Sequence, residues 1–272
     1  MEVISILQRA KIGESGGIEF ENKVEQALTV IKMHQVDEGY YLAFSGGKDS
    51  IVIYELAKMA GVKFDAHYNM TTVDPPELVN FIRNKYPDVE MTRPEMTMWD
   101  LIPKKRMPPT RLVRYCCDVL KEREGDGRLV MTGIRAAESN ARAMRCVFEQ
   151  DNRRKDKFYL NPIIDWSDKD VWDFIKEQEI DYCKLYDEGF HRLGCIGCPM
   201  QGPKGMKRDF AKWPKFKASY IRAFDRMLIA RRENDLQTDW TSGEQVMNWW
   251  LNGNRPPKIA DGQEELKMMS DN

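Results

Sequence analysis

A chain of 272 residues, 42% of them apolar, carries enough core-forming side chains for one large α/β domain with an appendage and needs no disulfide staples. Its formal net charge of −1 argues against bulk affinity for nucleic acid, and its N-terminal residues meet charge too early for a signal peptide. No run of about 18 apolar residues marks a membrane span, so a soluble cytoplasmic protein with no membrane partner is expected.

Residues 1–17 show no regular pattern and hold Gly13, Gly16 and Gly17, which discourage secondary structure; they are read as a lead-in. Residues 18–35 are predicted to be helical, because Phe20, Val24, Ala27, Leu28 and Ile31 recur at helical spacing. The most informative stretch follows. Tyr41, Leu42, Ala43 and Phe44 form a β-prone run that stops at Gly46, Gly47 and Lys48; apolar residues then return at Val52, Ile53, Leu56, Ala57 and Ala60, a helical period. A buried strand, a tight turn and a helix start are expected.

A helix N-terminus leaves backbone N–H groups unpaired and carries partial positive charge, which makes it an anion site. Gly46 and Gly47 allow positive φ and close backbone approach, Lys48 adds a point charge, and Ser45 and Ser50 add hydroxyls, so phosphate is the expected guest. The Walker loop is excluded, because it needs a longer spacer before its Gly-Lys pair.

Residues 62–68 alternate as a second strand, with His67 read as a packing residue, and residues 70–74 fall at its end, where open α/β sheets place ligand contacts. Pro76 suits the first turn of a helix reaching Lys85; a short strand near 89–91 and a helix over 96–102 come next. The loop holding Lys104, Lys105, Arg106, Arg111 and Arg114 either grips an anionic substrate or is simply solvated. Residues 128–132 read as a buried strand running through Gly133 into a second helix start, with Arg135, Arg142 and Arg145 spaced to share one helical face. Residues 161–166 are extended, and Ser167 caps a helix with Asp170 at its third position and Trp172, Phe174 and Ile175 turned inward.

Six cysteines in a reducing compartment are more often metal ligands or catalytic thiols than disulfides. Cys116, Cys117, Cys195 and Cys198 supply four thiols, with 77 residues between the inner two. Four thiols can hold zinc or an iron–sulfur cluster, and the adjacency of the first pair counts against zinc; a redox disulfide or inert thiols stay open. Cys146 and Cys183 read as small buried hydrophobes.

Past residue 200 the composition shifts. Residues 201–232 hold ten Lys or Arg and two Asp, and Phe216, Tyr220, Phe224, Met227 and Leu228 fall on one helical face. An amphipathic helix docked on the α/β domain is expected, and the excess of eight positive charges could hold a tRNA or DNA backbone by counterion release. Trp240, Trp249 and Trp250 should complete a helical extension over 201–252, leaving 253–272 as a frayed tail.

Residues 45–50 resemble the pyrophosphate loop of the adenine-nucleotide α-hydrolase superfamily. Thr132, Gly133, Ile134 and Arg135, with Glu138, Ser139 and Arg142, are similar to the second nucleotide-side motif of its sulfonucleotide (PAPS/APS) reductases. The Trp166, Ser167, Val171, Trp172 run and residues 182–190 are similar to later segments of that family, and Cys116-Cys117 with Cys195 and Cys198 resembles its four-iron site. The likeness covers about residues 20–200. It implies a doubly wound, mostly parallel α/β sheet of the HUP type over 18–200. It also implies an adenine nucleotide (ATP, APS or PAPS) with Mg2+ at Ser45, Gly46, Gly47, Lys48, Asp49, Ser50, Gly133, Arg135 and Arg142. A [4Fe–4S] cluster would sit on the four cysteines, with Lys48, Asp49, Arg135 and Lys121 in the chemistry, Lys121 lying between cluster and substrate.

The family's reductases carry a nucleophilic cysteine in a C-terminal Glu-Cys-Gly motif, and no cysteine follows Cys198 here. The expected reaction is therefore activation through the α-phosphate of ATP, an ATP pyrophosphatase chemistry coupled to sulfur transfer from a donor, with nucleic-acid thiolation the natural target. The alternative is a thioredoxin-dependent PAPS or APS reductase in which Cys146 or Cys183 substitutes. A non-catalytic nucleotide sensor is a third reading, against which Lys48, Arg135 and Arg142 argue. A homodimer is compatible with each.

Overall fold

The computed structural model describes residues 11–12, 18–19, 23–122, 124–151 and 154–252. Most of the expected lead-in, Phe20 and the whole 253–272 tail lie outside the described residues. Strands β1 (Lys11–Ile12) and β2 (Ile18–Glu19) pair antiparallel, so the helix expected from residue 18 begins later, as α1 (Lys23–Met33). Strict alternation follows: β3 (Tyr40–Ala43), α2 (Lys48–Ala60), β4 (Phe64–Asn69), α3 (Pro76–Lys85) and β5 (Glu90–Thr92). Helices α4 (Met98–Lys105) and α5 (Tyr115–Leu120) precede β6 (Leu129–Met131). A 3₁₀ turn (Ala136–Glu138), α6 (Asn140–Ala143), β7 (Phe148–Gln150), β8 (Phe158–Leu160) and α7 (Asp168–Glu177) come next. The chain continues as α8 (Gly202–Lys212), α9 (Pro214–Glu233) and α10 (Gly243–Leu251). Two compact units result, one of Met1–Glu95 with Cys117–Cys195, the other of Met96–Cys116 with Ile196–Asn272.

The first unit is the doubly wound α/β sheet. Its strand order is β5-β4-β3-β6-β8-β7, with every neighbour parallel except β7, which runs antiparallel on β8 at the edge. Tyr40, Tyr41 and Leu42 are all buried, as a central parallel strand covered on both faces must be. Helix α2 buries Val52, Ile53, Leu56, Ala57 and Ala60, the positions its periodicity marked, and Ile51 besides, and Gly61 ends it in the left-handed conformation at φ 67°. From β3 the chain moves outward through β4 and β5, then returns to lay β6 on the other side of β3. That reversal makes the carboxyl ends of β3 and β6 the topological switch point, where such sheets open a ligand crevice.

Two expectations for this unit change. Gly133 is not followed by a regular helix; the chain stays extended through Arg135 and then makes only the 3₁₀ turn and the single-turn α6, so Arg135, Arg142 and Arg145 share no helical face. Trp172 is half-buried, with its ring edge-on to Tyr182 and Tyr186 at 5.2 and 5.1 Å, while Phe174 and Ile175 are buried as expected.

The second unit is helical. Tyr220, Phe224, Met227 and Leu228 of α9 are buried and Phe216 half-buried, close to the predicted apolar face. Pro214 opens α9 and removes an N–H that α8 would have needed, which breaks the basic stretch into two helices at Trp213. Residues Met96–Cys116 belong with this unit: the Trp250 indole donates to the Pro109 carbonyl at 2.6 Å and the Tyr115 hydroxyl to that of Met107 at 2.7 Å. The basic loop, read from sequence as either an anion grip or a solvated loop, is part of the helical unit, with the Lys105 ammonium 5.9 Å from the Tyr115 ring centroid. No helix among the described residues is long and apolar enough to cross a membrane.

Trp250 is fully packed against Phe210, Tyr220 and Phe224. Trp250→Ala is expected to destabilise the helical unit by about 3–5 kcal/mol, read as an earlier urea transition in tryptophan fluorescence; Trp250→Phe, which keeps a ring but loses the indole donor, should fall between it and the wild type.

Candidate functional site

The turn after β3 is knit from within. Gly46 takes φ 68°, which only glycine adopts without strain, and a Cβ there would lie 2.8 Å from Ile82 and Leu78. Gly47, at φ −81°, is in ordinary extended backbone, so positive φ is needed once rather than twice. The Ser50 hydroxyl is buried; it donates to the Gly47 carbonyl at 2.9 Å and accepts the Ser45 N–H and hydroxyl, each at 3.1 Å. Ser50 thereby holds the shape of the loop. The Lys48 N–H, first of the helical amides, donates to the Tyr186 hydroxyl at 2.8 Å.

Gly133 ends β6 against this turn. A Cβ on it would stand 2.7 Å from the Asp49 carbonyl oxygen, so glycine is required for the backbone of one motif to touch the other. Arg135, two residues on, is thereby placed with its side chain only 3% exposed and its Nε donating to Asp49 Oδ1 at 2.6 Å. Its other nitrogens donate to Asp168 Oδ1 at 3.0 Å and to the Trp166 carbonyl at 3.3 Å. Lys48 Nζ, equally buried at 7%, lies 3.2 Å from Asp168 and 3.5 Å from Asp49. Two cations and two carboxylates thus interlock at the N-termini of α2 and α7. Burial pushes the Asp168 carboxyl up, but Lys48 and Arg135 pull it below the usual carboxylate range. Burial likewise opposes the charge on Arg135, and Asp49 outweighs it, holding the guanidinium protonated.

The structure brings Lys48, Asp49, Gly133 and Arg135 into contact with one another. Arg142 of α6 pairs with Glu138 of the preceding 3₁₀ turn, whose carboxylate also accepts the Arg135 N–H at 3.1 Å. Lys121 is exposed just past α5, its N–H donating to the Cys117 carbonyl at 2.9 Å and its carbonyl receiving Asn69 at 3.0 Å. Asp168 and Tyr186 are the functional residues that sequence reasoning missed. The Ser167 cap fixed where α7 starts, so Asp168 had to lie in its first turn, but nothing local showed that this turn meets Arg135.

Cys116 and Cys117 occupy the first turn of α5 and are half-buried, as are Cys195 and Cys198. The Cys195 thiol donates to the Thr71 hydroxyl at 3.4 Å. In the helical unit the turn before Cys198 is anchored on three sides: the Gly197 N–H donates to the buried Asp209 at 3.0 Å, the Tyr220 hydroxyl donates to the Ile196 carbonyl at 3.1 Å, and the Phe210 ring fills the space beside Gly197. Four thiols are the right donor chemistry for an iron–sulfur cluster. Among the described residues, however, no three His, Cys, Asp or Glu side chains gather closely enough to hold a metal ion. Cys183 is buried, and burial pushes its thiol up, away from nucleophilic use; Cys146 is exposed.

A parallel sheet with a glycine-rich phosphate turn and buried cations at its switch point defines an α/β nucleotide-site protein. The phosphoadenosine phosphosulfate reductase domain matches residues 39–201, more than half of the chain, and the chain belongs to that family. An uncharacterized protein of Methanocaldococcus jannaschii is 28% identical over 235 residues, covering 79% of this chain and 48% of that protein, so the chain spans about half the length of that relative. The adenosine 5'-phosphosulfate reductase of Staphylococcus epidermidis is 26% identical over 174 residues, 57% of this chain and 68% of the enzyme. The crystal structure of phosphoadenylyl-sulfate reductase from Candida auris, a phosphate complex, aligns with a TM-score of 0.48 at 17% identity, over 62% of this chain and 88% of that one.

Helix α7 presents Asp168 because its start is locked: Ser167 and Asp170 cap each other's N–H, and Asp170 pairs with Lys23 at 2.6 Å. The Lys23 hydrogen bond, with help from Ser167 and against the opposing effect of burial, lowers the Asp170 carboxyl to about 2. A depressed folded-state value means stability that is present above the unfolded carboxylate range and is lost as pH falls through about 2. Asp170→Asn should be less stable than the wild type at pH 7, and the gap should close as denaturation is followed from pH 4 down to pH 2.

Proposed function

We propose that this chain binds Mg2+·ATP at residues 45–50 and activates an acceptor through the α-phosphate, releasing pyrophosphate. The observation that carries the reading is the pairing of Asp49 and Asp168 with Lys48 and Arg135 where the N-termini of α2 and α7 meet. Two carboxylates beside a phosphate cradle repel a bare polyanion. Mg2+ is commonly held by one or two carboxylates together with substrate phosphates, so with the ion present the same four side chains become complementary to a metal–triphosphate. Asp49 and Asp168 would hold it, and its chemistry is neutralisation of phosphate charge.

The acceptor attacks the α-phosphorus, the bond to the bridging oxygen of the β-phosphate breaks, and pyrophosphate leaves with that electron pair. Lys48 and the first amides of α2 face the departing phosphates, while Arg135 holds both carboxylates in place. Cys116, Cys117, Cys195 and Cys198 are proposed ligands of a [4Fe–4S] cluster that would hold sulfur for transfer, and the basic residues of 201–232 favour a tRNA or DNA acceptor.

A second reading, reduction of a sulfonucleotide with thioredoxin, is favoured by the likeness to adenosine 5'-phosphosulfate reductases. It would have to use Cys146, since Cys183 is buried.

The test is anaerobic purification with iron and sulfide analysis, then parallel assays with Mg2+·ATP and with adenylyl or phosphoadenylyl sulfate plus reduced thioredoxin. AMP and pyrophosphate from ATP, abolished by EDTA, are expected, and Lys48→Ala or Asp168→Asn should each slow release roughly 10²-fold or more. Sulfite from a sulfonucleotide, without pyrophosphate from ATP, would replace this reading with the reductase.

A further inference from the structure

We infer that the Tyr186 hydroxyl is itself part of the phosphate site, accepting the Lys48 N–H and giving its own hydrogen to a phosphoryl oxygen seated on the N-terminus of α2. The inference rests on the phosphate-loop reading and adds to it a residue that no loop motif contains.

The Lys48 amide is the one that begins α2, and in a free helix end it would point at the anion. Here it donates to Tyr186 at 2.8 Å, and the same hydroxyl lies 3.4 Å from where a Cβ on Gly47 would stand. The phenol oxygen therefore sits within hydrogen-bond range of the place where a phosphate oxygen would come. A phenol that accepts one hydrogen bond still has a hydrogen to donate, and among the described residues no group accepts it. Burial, reinforced by Asp49 and Asp168, pushes the phenol well above its ordinary value, so it keeps that hydrogen at neutral pH.

The ring is also held. Trp172 meets it edge-on at 5.1 Å and Tyr182 at 6.3 Å, and Lys48 Nζ lies 6.0 Å from its centroid. Trp172 stands on α7, the helix whose first residue is Asp168, so one element brings both the carboxylate and the support for the phenol. A ring fixed in this way favours a donor that stays in place over a plug that swings out. An acceptor-only, multiply charged oxyanion is the ligand this geometry suits, the terminal phosphates of a nucleoside triphosphate or pyrophosphate itself.

Titration calorimetry of the full chain with magnesium pyrophosphate tests the assignment in the wild type, Tyr186→Phe and Tyr182→Phe. The Tyr182 hydroxyl donates to Asp187 at 3.1 Å, away from the loop, which makes it the control for loss of a phenol from the same aromatic group. Tyr186→Phe should bind about 10-fold more weakly, Tyr182→Phe like the wild type, and the tyrosine difference absorption that accompanies binding should vanish in Tyr186→Phe alone. Equal binding by Tyr186→Phe overturns the inference, and tighter binding does so by showing that the hydroxyl competes with phosphate for the Lys48 amide. A wild type that binds neither pyrophosphate nor ATP overturns the phosphate-loop reading itself, a failure distinct from that of Tyr186. If Tyr186→Phe fails to fold by circular dichroism, the difference band in wild type and Tyr182→Phe decides, and its absence sinks the assignment.

Discussion

The buried guanidinium of Arg135 is the constraint on which the site depends. A cation so nearly withdrawn from water is stable only with partners, and Asp49, Asp168 and the Trp166 carbonyl supply them from α2, from α7 and from the segment before α7. One side chain thus ties together the first turns of two helices that approach the switch point of the sheet. Removing a carboxylate would leave a buried cation, Lys48 or Arg135, with fewer partners, so the four charged residues depend on one another.

That ion network exists only because two backbones touch. Gly133 lacks the Cβ that would collide with the Asp49 carbonyl, and the contact sets how far Arg135 can reach. Gly46 does the complementary work on the other motif by turning the chain where Ile82 and Leu78 leave no room for a side chain. The alternation of sign around the crevice, Lys48 and Arg135 against Asp49 and Asp168, follows from this geometry.

The helical unit rests on aromatic packing. Phe210, Tyr220, Phe224 and Trp250 form its centre, and Asp209 and Tyr220 reach from that centre to the Ile196 and Gly197 backbone. Part of its basic excess is structural: Arg226 binds the Trp99 carbonyl and Asp100, and Arg231 the carbonyls of Arg106 and Gln237. Of the remaining basic residues, Lys204, Lys207, Lys215, Arg222 and Arg232 are exposed.

Strands β3, β4 and β6 and helices α2, α3, α7 and α9 were legible because each is long enough to show its period or carries a cap or turn residue at its end. Strands β7 and β8 were not, since three residues show no alternation and their pairing is with each other and with β6. Lys48, Asp49 and Arg135 could be named from adjacent glycines, whereas Tyr186 lies 138 residues from the amide it meets and Asp168 33 residues from the guanidinium it pairs with. By itself the sequence determined the phosphate turn, the strand and helix around it and the supply of four thiols, because turn chemistry and hydrophobic period are local properties. Only the tertiary structure decided that Asp168 and Tyr186 join Lys48, because which residues meet at the switch point depends on strand order, and strand order is set by packing between segments far apart in the chain.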